Sequence, residues 1–191
     1  MAKVSSGLTL STDYFMRNFY SNNRGVIKQS DRKDYSKIEL SYEDSRALSR
    51  AAKQLRRNKY EVESKTDDSD LDDTTRSSIE AFIKTYNNIM DSSKTSDNHD
   101  SKHYMRQLKT LSSKYADEFE DLGITLESDG KLSVNDDLLK AADTSKAKKL
   151  FSEDCEFTKK VMVIARKLNG AIGNDITSQI NSKGLHINIA L

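Results

Sequence analysis

Apolar residues recur at intervals of three and four in several stretches of the chain, the spacing that places them on one face of an α-helix. We interpret these stretches as amphipathic helices near residues 41–59, 74–90, 102–121 and 152–169. Their stripes include Leu48, Leu55, Phe82, Tyr86, Leu108, Leu111, Tyr115, Phe119, Phe157, Val161, Ile164 and Leu168. Packing these stripes together gives an elongated helical bundle with coiled-coil-like seams.

A β-hairpin is predicted between the third and fourth helices. Its two strands are predicted from apolar residues that alternate with polar ones, namely Ile124, Leu126, Leu132 and Val134. Asp129-Gly130 predicts a two-residue turn between the strands, because glycine readily adopts positive φ. A short helix near residues 134–142 should follow, with Ser133 at its start. The predicted class is therefore mainly α, a helical bundle with one small β-hairpin.

The two ends of the chain differ from this central pattern and divide the sequence into three parts. Residues 1–40 are rich in Ser, Asn, Asp and Lys, a composition that favours a mobile N-terminal arm. Residues 41–178 form the predicted helical domain, whose last helix we expect Gly170 and Gly173 to end or loosen. Residues 179–191 form a C-terminal tail with strand-like alternation.

Apolar side chains in the arm and in the tail are the candidate partner-binding residues. The aromatic cluster of the arm either docks on the bundle, stays unfolded or awaits a partner. The tail needs a sheet edge before it can pair as a strand. The candidates are Tyr14, Phe15, Phe19, Leu185, Ile187, Ile189 and Leu191.

A longer motif runs through the middle of the chain. It comprises Phe82, Tyr86, Asn87, the segments 122–126 and 129–134, Leu138, Leu139 and Lys149-Leu150-Phe151. In this order and spacing the residues resemble the C-terminal region of the bacterial flagellar filament-capping protein, also called hook-associated protein 2. The resemblance covers residues 79–168. Typical members of that family are much longer and carry β-rich head domains, so this chain resembles a short form without the heads.

The resemblance implies a non-enzymatic structural or interaction protein. Such a protein would pack its helices against flagellar-type partners or against itself, as a homo-oligomer. It would reside in the bacterial flagellum or outside the cell and arrive without a signal peptide, since residues 1–10 lack the apolar core of one. The alternative is a cytoplasmic regulator or chaperone-like protein that holds a flagellar subunit or another helix in a groove.

Composition and charge narrow the classes of partner. The chain has 31 basic and 30 acidic residues, a net charge of +1, so no overall field attracts nucleic acid. No apolar run is long enough for a membrane span. The first helix also has a basic face, either a surface for an anionic partner or an ordinary solvated one, formed by Arg46, Arg50, Lys53, Arg56, Arg57 and Lys59.

Candidate catalytic and metal-binding residues are few and form no complete set in the sequence. His99 and His103 lie four residues apart, a spacing that can present two metal ligands, but no cysteine lies near them. Cys155 is the single cysteine; a helix N-terminus would lower its pKa, whereas neighbouring Glu153 and Glu156 would raise it. We therefore expect no catalytic residue, no cofactor and no functional metal.

Overall fold

The computed structural model describes residues 32, 35–60, 71–94 and 96–182, and side chains as far as residue 178. Over these residues the protein is mainly helical with one two-stranded antiparallel sheet, which confirms the predicted fold class. The helices are α1 (Lys37–Arg57), α2 (Asp73–Ser92), α3 (His99–Lys114), α4 (Ala116–Glu120), α5 (Asp136–Lys140), α6 (Thr144–Phe151) and α7 (Glu156–Ser182). The strands are β1 (Ile124–Leu126) and β2 (Leu132–Val134).

The long helices α1, α2, α3 and α7 form the bundle. Helix α7 packs against both α1 and α3, and α2 packs against α1. A hydrogen bond of 2.8 Å between the Tyr86 and Ser112 hydroxyls joins α2 to α3. The predicted apolar stripes meet in the core: all the stripe residues named above are buried except Tyr115, which is half-buried.

Phe157 on α7 lies at the centre of an aromatic cluster. Its ring centroid is 5.2 Å from those of Tyr115 and Phe119, 6.0 Å from that of Phe82 and 6.2 Å from that of Phe151. These spacings fall within the range in which edge-to-face and tilted ring pairs are favourable. One side chain therefore connects α2, the end of α3, α4 and α6 to α7.

Helix α1 begins one turn before the predicted start. Ser36 and Glu39 form a reciprocal capping box, in which the Glu39 amide donates to Ser36 Oγ and the Ser36 amide donates to Glu39 Oε2. Ser41 is buried within the helix, and Asp44 accepts two hydrogen bonds of 2.8 Å from Arg32. The predicted start at Ser41 is therefore wrong, because the Ser-x-x-Glu pair upstream satisfies the first amides.

The predicted third helix is divided in two at Tyr115. The backbone of Tyr115 (φ −111°, ψ 24°) leaves helical geometry, so α3 ends at Lys114 and α4 starts at Ala116. The Phe119 amide still bonds to the Tyr115 carbonyl over 3.0 Å, which keeps the two pieces in register. The change of direction places Phe119 and Tyr115 on the same ring of Phe157.

The hairpin pairs Ile124 with Val134 and Leu126 with Leu132, as its alternation predicted. Its turn is longer than the predicted two residues. The Glu127 amide donates to the Lys131 carbonyl and the Gly130 amide to the Glu127 carbonyl, so three residues form the loop. Gly130 has φ of 90°, which matches the three-residue hairpin that ends in a left-handed residue.

Helix α2 holds the hairpin through the side chain of Asn87. The Asn87 amide donates to the Leu132 carbonyl over 2.7 Å, and its oxygen accepts from the Leu132 amide over 2.9 Å. Lys131 adds a 2.7 Å ion pair with Asp91 on the same helix. Lys109 on α3 donates to the Asp129 carbonyl over 2.8 Å. The turn and β2 are therefore fixed to two helices of the bundle.

Asn87→Ala should lower the free energy of unfolding by about 2 kcal/mol, because it leaves the Leu132 N–H and C=O without their partner. Urea unfolding followed by circular dichroism measures this loss. Lys84→Ala, at an exposed position on the same helix, is the comparison, and we expect a smaller loss for it. Equal losses at the two positions would show that the bonds to Leu132 contribute little.

The segment after the hairpin departs from the prediction in three places. Ser133 lies in β2 and donates to Glu127, while Asn135 caps α5 by accepting from the Leu138 amide. Helix α6 was not predicted. Helix α7 continues past Gly170 and Gly173 to Ser182, because α1 packs along it and Asn169 donates to the Tyr42 carbonyl over 2.8 Å.

Candidate partner-binding groove

An open groove of about 650 Å³ lies between α3 and α7. Its apolar floor is formed by Leu111 of α3 and by Val163 and Ile164 of α7. Val163 is 42% exposed, and only Leu138 is a more exposed large apolar side chain among the described residues. The groove therefore leaves apolar surface uncovered at the junction of two bundle helices.

The two helices contribute matching faces to this groove. The lining positions on α3 are 103, 106, 107, 110, 111 and 114, and those on α7 are 156, 159, 160, 163, 164 and 167. Both sets follow the spacing of one continuous helix face over three turns. Each helix thus turns one stripe into the core and an adjacent stripe toward the groove.

The rim of the groove is strongly basic. Five cationic side chains line it, namely Arg106, Lys114, Lys159, Lys160 and Lys167. Glu156 is the single carboxylate in the lining, and it forms a 2.8 Å ion pair with Lys160. Because Lys160 donates to Glu156, the pKa of the Glu156 carboxyl is lowered and that of the Lys160 ammonium is raised. A near-neutral chain therefore has a local excess of positive charge at this groove.

The predicted basic face of α1 is used partly within the molecule. Arg46 pairs with Glu43 over 3.3 Å and lies over the Tyr42 ring, and Arg56 donates to the Glu153 carbonyl over 3.2 Å. These contacts favour an ordinary structural role for this face. The rim between α3 and α7 is the basic surface that also borders uncovered apolar side chains.

The structure places the two histidines considered for chemistry on α3 and the cysteine directly before α7. His99 is exposed beside Asp100, and a 2.9 Å hydrogen bond joins the His103 ring to Gln107. Within the described ranges no three potential metal ligands come together. Cys155 is buried, and this burial raises the pKa of its thiol, although the amides of Phe157 and Thr158 act in the opposite direction.

The structure does not bear on the partner-binding residues predicted from the sequence. Those residues fall within segments 1–31 and 183–191, outside the residues that the structure describes: Tyr14, Phe15, Phe19, Leu185, Ile187, Ile189 and Leu191. They remain predictions. None of the helices in the described ranges has both the length and the apolar character that crossing a membrane requires.

The groove itself was missed in the sequence. Leu111 and Ile164 were assigned to the core, and they do contribute to it, with exposures of 8% and 9%. The available signal was Val163, an apolar residue one position before the predicted stripe residue Ile164 and flanked by Lys159, Lys160 and Lys167. Only the packing of α3 against α7 brings the basic and apolar positions of the two helices side by side.

Comparison with known proteins gives no relative. The chain matches no protein-family model, no curated protein and no solved structure. The resemblance to the flagellar filament-capping protein therefore depends on the motif residues alone.

Proposed function

We propose that the protein is a non-enzymatic structural or interaction protein, related to the C-terminal region of the flagellar filament cap. It acts by packing its helices against flagellar-type protein partners or against a second copy of itself. The observation that carries this proposal is the groove between α3 and α7, in which apolar side chains stay uncovered on an otherwise well-packed bundle.

The roles of the motif residues support the proposed relationship. Tyr86 and Asn87, adjacent in the motif, bond to Ser112 of α3 and to Leu132 of β2. Gly123 and Gly130 both adopt positive φ, one before β1 and one in the turn. Several of the residues that carry the resemblance thus hold the hairpin on two helices of the bundle.

A second candidate function follows from the same groove. A cytoplasmic regulator or chaperone-like protein would use it to hold a helix of a flagellar subunit until release. The two candidates differ in where the protein resides. The first places it in the flagellum or outside the cell, and the second places it in the cytosol. Fractionating cells into sheared filaments, medium and cytosol therefore separates them.

The chemistry of the groove favours binding over catalysis. Its apolar floor and solvated ammonium and guanidinium groups suit a protein surface. The local positive charge is confined to about three turns of two helices, whereas the whole chain is near neutral. We therefore propose a protein as the partner rather than nucleic acid, with no reaction, cofactor or metal required.

Site-specific photo-crosslinking in cells tests the proposed function. A benzophenone amino acid replaces Val163 in the full chain, and the same group at Lys84, an exposed position on α2, is the control. We expect adducts with a flagellar-type protein or with the protein itself at residue 163 and not at 84. A chain without residues 185–191 tests the contribution of the tail. Equal adduct patterns at both positions would contradict the proposal.

A further inference from the structure

We infer that the groove between α3 and α7 binds an amphipathic helix of a partner protein whose apolar stripe is flanked by carboxylates. The inference rests on the proposed interaction function and specifies the chemistry of the partner. It assigns Leu111, Val163 and Ile164 to the apolar contact and the surrounding cations to recognition of the flanks.

The dimensions of the groove suit a short helix. Its lining runs from His103 to Lys114 on α3 and from Glu156 to Lys167 on α7. At 1.5 Å per residue each face is about 16 Å long, which corresponds to about three helical turns. A shallow channel between two neighbouring helices accepts the ridge of side chains on a third helix, with apolar anchors spaced by three or four residues.

The apolar floor of the groove is the reason why the partner must carry an apolar stripe. Val163 is exposed to 42%, and it adjoins Ile164 and Leu111, which are almost covered. Burying this strip removes apolar surface from water, the dominant favourable contribution to protein association. A polar segment would cover the same strip without that gain.

The basic rim of the groove is the reason why carboxylates should flank the apolar stripe of the partner. Arg106, Lys159 and Lys167 form no salt bridge among the residues that the structure describes, and Lys160 is paired with Glu156. Cations stand on both walls, on α3 and on α7, so a helix seated between them meets positive charge on each side. Complementary charges of this kind orient a partner and accelerate its association more than they increase its affinity.

Other anionic surfaces fit the groove less well. Single-stranded nucleic acids bind through aromatic side chains on which bases stack, and the groove lining contains none apart from the His103 ring. A bilayer surface is broad, whereas the apolar strip lies in a channel between two basic walls. Both surfaces nevertheless serve as competing outcomes in the test.

Binding of designed peptides to the full chain tests the inference. The probe is a fluorescent 14-residue helical peptide with leucines on one face and glutamates on both flanks. One control peptide has the same composition with its leucine positions scrambled, and the other has lysine in place of glutamate. Fluorescence anisotropy should show saturable binding of the probe that weakens with added salt, with at least about tenfold weaker binding of both controls.

Groove variants locate the binding site. Val163→Glu should weaken probe binding by about tenfold or more, because it places a carboxylate in the apolar strip. The double variant Lys159→Glu/Lys167→Glu, which leaves the groove lining with no net charge, should weaken binding of the acidic probe by about tenfold or more and reduce its preference over the lysine-flanked peptide. Lys53→Glu/Lys84→Glu, which reverses two exposed cations elsewhere, should bind as the parent does. All substituted side chains are exposed, and circular dichroism checks that each variant retains its helices.

Several results would overturn the inference. They are equal binding of the scrambled peptide, equal loss in the Lys53/Lys84 control, and unchanged binding of the acidic probe to the double variant. Tighter binding of the full chain to phosphatidylserine vesicles or to single-stranded RNA than to the probe would also overturn it. If the probe fails while crosslinks from residue 163 persist, only the chemistry assigned to the partner is wrong, and the proposed interaction function stands.

Discussion

Phe157→Ala should lower the free energy of unfolding by about 3–5 kcal/mol, the range measured when a buried phenylalanine is truncated. The expected loss is large because Phe157 is fully buried and its ring contacts four other aromatic side chains. Those rings come from four different parts of the chain, so they cannot all move together to fill the cavity. A cavity that the surrounding side chains cannot fill lowers the free energy of unfolding most.

Urea unfolding of the full chain, followed by circular dichroism, measures this effect. Val163→Ala is the matched control, since it truncates an exposed side chain two turns along the same helix. Its loss should stay within about 0.5 kcal/mol. A Phe157→Ala loss as small as that of the control would mean that the aromatic cluster is not packed as described.

Gly123→Ala should destabilise the protein by about 2–5 kcal/mol, from two separate causes. Gly123 has φ of 71°, a left-handed conformation that costs other residues about 1–2 kcal/mol. An added Cβ would also lie 2.4 Å from Leu138 Cβ and 3.2 Å from the backbone of Leu138 and Leu139. Relieving such overpacking costs about 1–3 kcal/mol more.

Gly170→Ala should have the opposite effect on the free energy of unfolding in the same assay. Gly170 lies within α7, and a Cβ there would meet nothing within 4 Å. Alanine should therefore stabilise the helix by about 0.5–1 kcal/mol. If Gly123→Ala behaves like Gly170→Ala, the backbone at residue 123 does not have the left-handed conformation, and the junction between α4 and β1 is built differently.

Strong periodic patterns made most of the bundle predictable. The stripes through Phe82, Leu108 and Phe157 each extend over several turns, so their helical period is clear from the sequence alone. The hairpin was equally clear, since alternation and Gly130 indicate the same structure. These are the places where local preference and tertiary packing agree.

The errors fall where tertiary contacts override a local signal. Gly170 and Gly173 ordinarily weaken a helix, but α1 packs along this part of α7, and Asn169 of α7 donates to the Tyr42 carbonyl of α1. Tyr115 continues an apolar stripe in the sequence, yet its backbone bends so that it and Phe119 can meet Phe157. Neither effect can be read from neighbouring residues.

The candidate groove was unpredictable for a related reason. Its floor and rim belong to α3 and α7, which are separated in sequence by the hairpin and three short helices. A lysine or an exposed valine on one amphipathic helix is common and does not by itself indicate a binding site. Only the adjacency of two such helix edges produces an apolar strip between basic walls.

The two hydrogen bonds between Asn87 and β2 affect whether a strand of another molecule can add to the hairpin. Glu127 and Lys131 form a hydrogen-bonded pair in the hairpin, so the next pair, Leu126 and Leu132, is a non-hydrogen-bonded one. The N–H and C=O of Leu132 therefore point away from β1. Outward-pointing groups on an edge strand are a template for a strand from another molecule. Here one side-chain amide satisfies both groups. Strand addition from another molecule at Leu132 is thereby blocked, so fibre-like growth cannot start at this position of β2.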